Sequence, residues 1–118
     1  MAKPLVAKKG TPLFKAALSL IKSVEITTET DGERETHIFD EGDAEDMETL
    51  INAFSHAESL RVFPTSTFFE DHILFDSGFA ETRAMLVVGR DSIVSDVTVC
   101  TEKIATIRAH AKEMGSKK

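Results

Sequence analysis

Apolar residues along this chain recur either every three to four positions or every second position, and the two spacings divide it into helices and strands. Leu13, Phe14, Ala17, Leu18 and Ile21 follow the helical spacing, with Leu20 widening the stripe. Thr11 precedes them as an N-cap and Pro12 takes the first helical position, where a missing amide proton costs nothing. A first helix is therefore predicted from Pro12 to about Lys22. Met47, Leu50, Ile51, Phe54, Ala57 and Leu60 form the clearest stripe. They predict a second helix, capped by Asp43, with Asp46 beside the free amides of its first turn. It should end near Leu60, because Val62-Phe63 runs into Pro64, which disfavours a helical Phe63. A last helix from Thr101 to Met114 would bury Ile104, Ile107, Ala111 and Met114.

The period of two appears first at Val24, Ile26 and Thr28, which alternate with Glu25, Thr27 and Glu29. Asp31-Gly32 marks a turn and a returning strand. A two-residue loop would set Ile26 against His37 and leave Ile38 on the acidic face. A three-residue loop, Thr30-Asp31-Gly32, pairs Ile26 with Thr36 and Val24 with Ile38, and the hydrophobic pattern favours it. Beyond Pro64 the chain reads as a meander of three strands, Thr67 to Phe75, Glu81 to Val88 and Ile93 to Cys100. Ser77-Gly78 and Gly89-Arg90-Asp91-Ser92 separate them. Ala84-Met85-Leu86-Val87-Val88 is apolar on both faces, which predicts a central, covered strand.

The predicted order is α-β-β-α-β-β-β-α. It describes a single α+β domain over residues 11–114, with a mainly antiparallel sheet and helices on one face. Residues 1–10, with one proline, one glycine and three lysines but no period, read as a flexible arm, and residues 115–118 as a tail. A chain of 118 residues, 42% of them apolar, can bury a core without disulfide staples.

Charge changes the picture more by where it lies than by its sum. The net charge is -6, yet eleven of the twenty acids fall between Glu25 and Glu48, opposed only by Arg34. Glu25, Glu29, Glu33, Glu35, Glu45 and Glu48 are the interface candidates, an acidic surface suited to steering a protein partner with a basic surface. The same balance argues against nucleic acid, since there is no basic stripe and no Tyr or Trp to stack a base. Lys3, Lys8, Lys9, Lys112, Lys117 and Lys118 would touch phosphate only if the termini converged. One cysteine cannot form an intrachain disulfide, so a reducing cytoplasm is expected. The N-terminal apolar stretch is too short for a signal peptide and no run approaches a membrane span.

Candidate chemistry is sparse. His37, His56, His72 and His110 are scattered, without paired cysteines, and the glycines never gather into a phosphate loop, so no metal and no cofactor are expected. The acidic run Asp40 to Asp46 lacks the ligand spacing of a calcium loop, and helix capping accounts for it. Cys100 lies where helix-terminal amides and Lys103 would activate a thiol, although a small side chain finishing a strand explains it more simply. The one acid–base constellation is Glu70 and His72, two apart on one strand face, with Asp76 beyond and Arg83 or Arg90 as an anion anchor. Asp71 points the other way.

The leading expectation is a small non-catalytic interaction or assembly protein presenting an acidic face to a basic macromolecule. The alternatives are a hydrolase-like enzyme using His72 and a structural homo-oligomer, most simply a dimer. The last rests on the apolar strand and on Phe63, Phe68, Phe69, Phe75 and Phe79. A deep polar pocket at His72 would favour the enzyme, a continuous acidic face the partner, and a self-complementary apolar surface the assembly.

Overall fold

The computed structural model describes residues 4–116. The elements are β1 (Leu5–Lys8), α1 (Pro12–Ser19), β2 (Ile21–Thr30), β3 (Glu33–Phe39), a short 3-10 turn (Glu41–Asp43), α2 (Ala44–Phe54), β4 (Ser59–Phe63), β5 (Asp71–Leu74), α3 (Phe79–Val88), β6 (Ile93–Thr101) and α4 (Ile104–Ser116). The six strands form one antiparallel sheet in the order β1-β4-β5-β6-β2-β3. The fold is α+β.

The register explains which face is dry. Leu5 pairs with Val62, Val62 with Ile73, Ile73 with Val99 and Val99 with Val24, so one row of buried side chains crosses five strands. All four helices cover that face. α2 adds Met47, Leu50 and Phe54, spaced as one helical stripe, and α4 adds Ile107 and Ala111. Burying a side chain such as Phe54, Leu50 or Ile26 contributes about 1.5–3 kcal/mol, and this single core is what holds helices to sheet.

Local chemistry sets the boundaries. Thr11 caps α1 by accepting from the Phe14 amide at 3.2 Å, with Pro12 at N1, as its sequence predicts. The helix stops at Ser19 because β6 takes over its last carbonyls: buried Thr101 donates its hydroxyl to Leu20 O at 3.0 Å, and Glu102 N donates there at 3.1 Å. The cap at the start of α2 lies one turn earlier than expected. Asp40 accepts from Gly42 N at 2.9 Å while Asp43 accepts from Asp40 N at 3.2 Å, a capping box on the 3-10 turn rather than a cap made by Asp43 alone.

Several expectations are corrected. The segment expected as an arm contains β1: Leu5 and Ala7 are buried, Val6 and Lys8 exposed, a period of two that pairs with β4. Residues 1–3 of that arm lie outside the described residues. The second helix ends at Phe54, and Leu60 instead belongs to β4 beside Ala7. Residues 79–88 form a helix, not a central strand. Ala80 and Ala84 pack inward one turn apart while Leu86 is exposed, and Gly78 and Gly89, both at positive φ, bracket it. The strand expected from Thr67 shrinks to Asp71–Leu74. Gly115 continues α4, while residues 117 and 118 of the expected tail lie outside the described residues.

The hairpin register is also corrected. Thr30 faces Glu33 across a two-residue loop, with Asp31 at φ 51 and Gly32 at φ 83, the left-handed pair that matches strand twist. This places Ile38 against Glu25 on the uncovered face, 59% exposed, but it puts Phe39 beside Val24 on the core side. One aromatic ring gained outweighs one isoleucine lost.

Between β4 and β5 the chain has no regular structure, and a buried ion pair fastens it. Asp71, at the start of β5 and 1% exposed, points to the helix side and accepts from Lys103 Nζ at 2.5 Å, Thr65 N at 2.9 Å and Ile104 N at 2.9 Å. The last of these caps α4. Lys103 Nζ donates also to Thr67 O at 2.8 Å and to Thr65 O at 3.3 Å.

Burial alone would raise the Asp71 carboxyl, but the Lys103 ammonium and the Ile104 and Thr65 amides outweigh it, leaving Asp71 below its ordinary value of 3.8. A carboxyl depressed in the folded state contributes stability above its unfolded pKa and loses it as pH falls through the folded one. Asp71→Asn is expected to cost about 3 kcal/mol near neutrality. It should also flatten the acid limb of stability below about pH 4. Urea unfolding of both proteins across that range measures both effects.

Candidate functional site

Among the described residues, no helix or strand lies over the face opposite the helices. Alternation along the strands places Val6 and Lys8 of β1, Arg61 and Phe63 of β4, His72 and Leu74 of β5, Cys100 of β6 and Ser23 and Glu25 of β2 there. In the middle of this face Phe63 faces His72, His72 faces Cys100, and Cys100 faces Ser23, one row across four adjacent strands. Glu70, just ahead of β5, joins it. Ligand atoms of Glu70, His72 and Cys100 all lie within 4.8 Å of one another.

Cys100 is 1% exposed although no helix lies over it, so side chains of its own face close it off. Burial pushes its thiol up. The carboxylates of Glu70 and Glu25 add to that, and the Ser23 hydroxyl acts against it. This is the opposite of an activated cysteine, which needs a nearby positive charge. Lys103, the expected activator, is turned to Asp71 on the far side of the sheet.

Glu70 is held by its backbone. Its carbonyl accepts from the hydroxyls of Thr65 at 2.6 Å and Thr67 at 2.9 Å, while Lys22 Nζ donates to the neighbouring Phe69 O at 3.2 Å. Thr65, Thr67 and Lys22 are thus positioning residues with no signature in the sequence. The same loop leaves Phe68 90% and Phe69 72% exposed.

Of the expected acid–base set, the fold brings Glu70 and His72 together and separates the rest. Asp76 lies past the end of β5, where its carbonyl accepts from Phe79 N, and Arg83 stacks its guanidinium 4.0 Å over the Phe79 ring. Phe75 packs on Phe54 at a centroid spacing of 4.9 Å and on Phe79 at 5.2 Å, which accounts for two of the five phenylalanines as core.

The six acidic candidates occupy three surfaces. Glu25 and Glu29 project from β2 on the uncovered face, and Glu33 and Glu35 project from β3 on the opposite side, where Thr28, Thr30 and Asp31 join them around a shallow depression. Glu45 and Glu48 line a cleft of about 470 Å³ between α2 and α3, with Asn52, His56 and Leu86. Glu35 approaches His37 at 3.8 Å.

A raised, enclosed thiol reacts slowly. Alkylation of Cys100 by iodoacetamide should run at least about tenfold slower in the folded protein than in urea at the same pH. Equal rates would show the sulfur to be open. No protein-family model, curated protein or solved structure matches this chain.

Proposed function

We propose that this protein is a non-catalytic interaction protein that takes a basic, extended segment of a partner along the β3 edge of its sheet. The supporting observation is the edge itself. β3 is a seven-residue strand paired on one side only, and its burial pattern runs exposed or half-exposed from Glu33 to Phe39. Such an edge offers unpaired backbone groups to a further strand, and alternate side chains confer selectivity. Here the alternation sets Glu33 and Glu35 on one face of the ribbon, with Asp31 at its tip, and Glu25 and Glu29 on the other face of the neighbouring strand. On its helix-side face β3 presents Glu33 and Glu35, while Arg34, Thr36 and Ile38 occupy its uncovered face, so a lysine- or arginine-bearing strand meets acids with the side chains it turns to the helix side. The cytoplasm suits this role, because a reducing milieu keeps Cys100 a thiol.

A second reading, assembly with another copy of the chain, draws on the uncovered face. Val6 and Leu74 are half-exposed there, Lys8 and Arg61 lie toward the β1 end, and Glu25 and Glu29 lie toward the β2 end. A two-fold pairing of such faces sets acids against bases. The apolar central strand that first suggested assembly is helix α3 and no longer supports it.

The test uses a synthetic peptide alternating lysine and threonine, titrated against the intact chain. Glu33→Lys with Glu35→Lys should weaken binding at least about tenfold and flatten its salt dependence, while Glu81→Lys on α3 should not. Binding indifferent to the paired reversal would overturn this reading. Sedimentation of the protein alone separates assembly from it.

A further inference from the structure

We infer that Glu70, His72 and Cys100 form a binding site for a zinc-like divalent cation on the uncovered sheet face, with its fourth coordination position open to solvent. The three side chains supply a carboxylate oxygen, an imidazole nitrogen and a sulfur, the donor set that zinc and cobalt accept. Zinc bonds of about 2.0–2.3 Å place tetrahedral ligands roughly 3.5 Å apart, so ligand atoms already within 4.8 Å need only small side-chain rotations to close.

The framework holding them is stiff. His72 and Cys100 are directly opposed residues of a central strand pair, which fixes their backbones. Glu70 is anchored through its carbonyl by Thr65 and Thr67, and through the Asp71–Lys103 pair next to it. These contacts belong to the loop and hold it in place whether or not a metal is bound.

Charge balance points the same way. Glu70 and Glu25 both stand near the sulfur. A divalent cation would offset most of the negative charge that these carboxylates and the sulfur carry together. On binding, the thiol S–H bond breaks, its proton passes to solvent, and the sulfur's electron pair forms the metal bond, with no change of oxidation state. Glu70 and His72 are half-buried and Cys100 is enclosed, so the sulfur lies at the inner side of the site and the open position faces outward. This site is separate from the β3 edge, and either assignment can fail without the other.

Cobalt(II) tests it, since sulfur ligation gives a thiolate-to-metal charge-transfer band that oxygen or nitrogen ligation alone does not. The reduced, intact protein should take up cobalt in a one-to-one ratio with that band, and zinc should displace it. Cys100→Ser should abolish the band. Because Cys100 is packed, His72→Asn and Glu70→Gln at half-exposed positions provide the independent check. Each should weaken zinc binding at least about tenfold in a protein whose circular dichroism is unchanged. Absence of the band in the parent protein, or zinc affinity unaltered by both of these substitutions, would overturn the assignment.

Discussion

The Asp71–Lys103 pair is the contact on which the arrangement of this protein depends. It is where β5, the irregular chain before it and the start of α4 meet, and a single carboxylate serves all three. A buried ion pair gives a modest net contribution compared with apolar packing of equal size, but losing one partner leaves the other unsatisfied. Its value here lies in specificity. With Asp71 directed into the helix side, alternation turns Glu70 and His72 to the opposite side, where they meet Cys100.

The sheet has one face committed to packing and one left free, and the possible functions divide along that line. On the helix side the one charged side chain fully buried among the described residues is Asp71, and it is satisfied. On the free side apolar, acidic and basic side chains mix, and the protein's one sulfhydryl group lies at their centre. Chemistry through an activated thiol fits this poorly, because the surroundings of Cys100 favour the neutral form. Cation binding and strand addition both fit, since neither requires a reactive group or a deep pocket.

Much of the fold was legible where a single period ran undisturbed. The start of α1 with its cap, most of β2, β6 and the inward line of α4 followed from the spacing of apolar residues and from Thr11-Pro12, whereas Ile21 and Lys22, expected in the first helix, open β2. Reading failed where composition was ambiguous. Ala84 to Val88 is apolar on all sides, and periodicity cannot tell a packed strand from a short helix in such a run; Gly78 and Gly89 were the better signal. β1 was obscured by its brevity and its lysines. The hairpin register turns on Phe39, which the two-residue loop sets beside Val24 on the core side at the expense of Ile38. Half of the site was legible too. Glu70 and His72 share a strand face by simple alternation, and Asp71 opposes them, but their meeting with Cys100 depends on which strand lies beside β5. That neighbour is fixed by long-range pairing, which no local pattern encodes.

The strand order has a consequence for how the chain reaches this state. β1 precedes its partner β4 by more than fifty residues, and β2 precedes its partner β6 by more than sixty. Only the β2–β3 and β4–β5 strand pairs and the short helices can form from neighbouring residues. The sheet's centre closes only when β6 reaches both β2 and β5, so folding should be slow for a domain of this size and governed by loop closure rather than by local propensity.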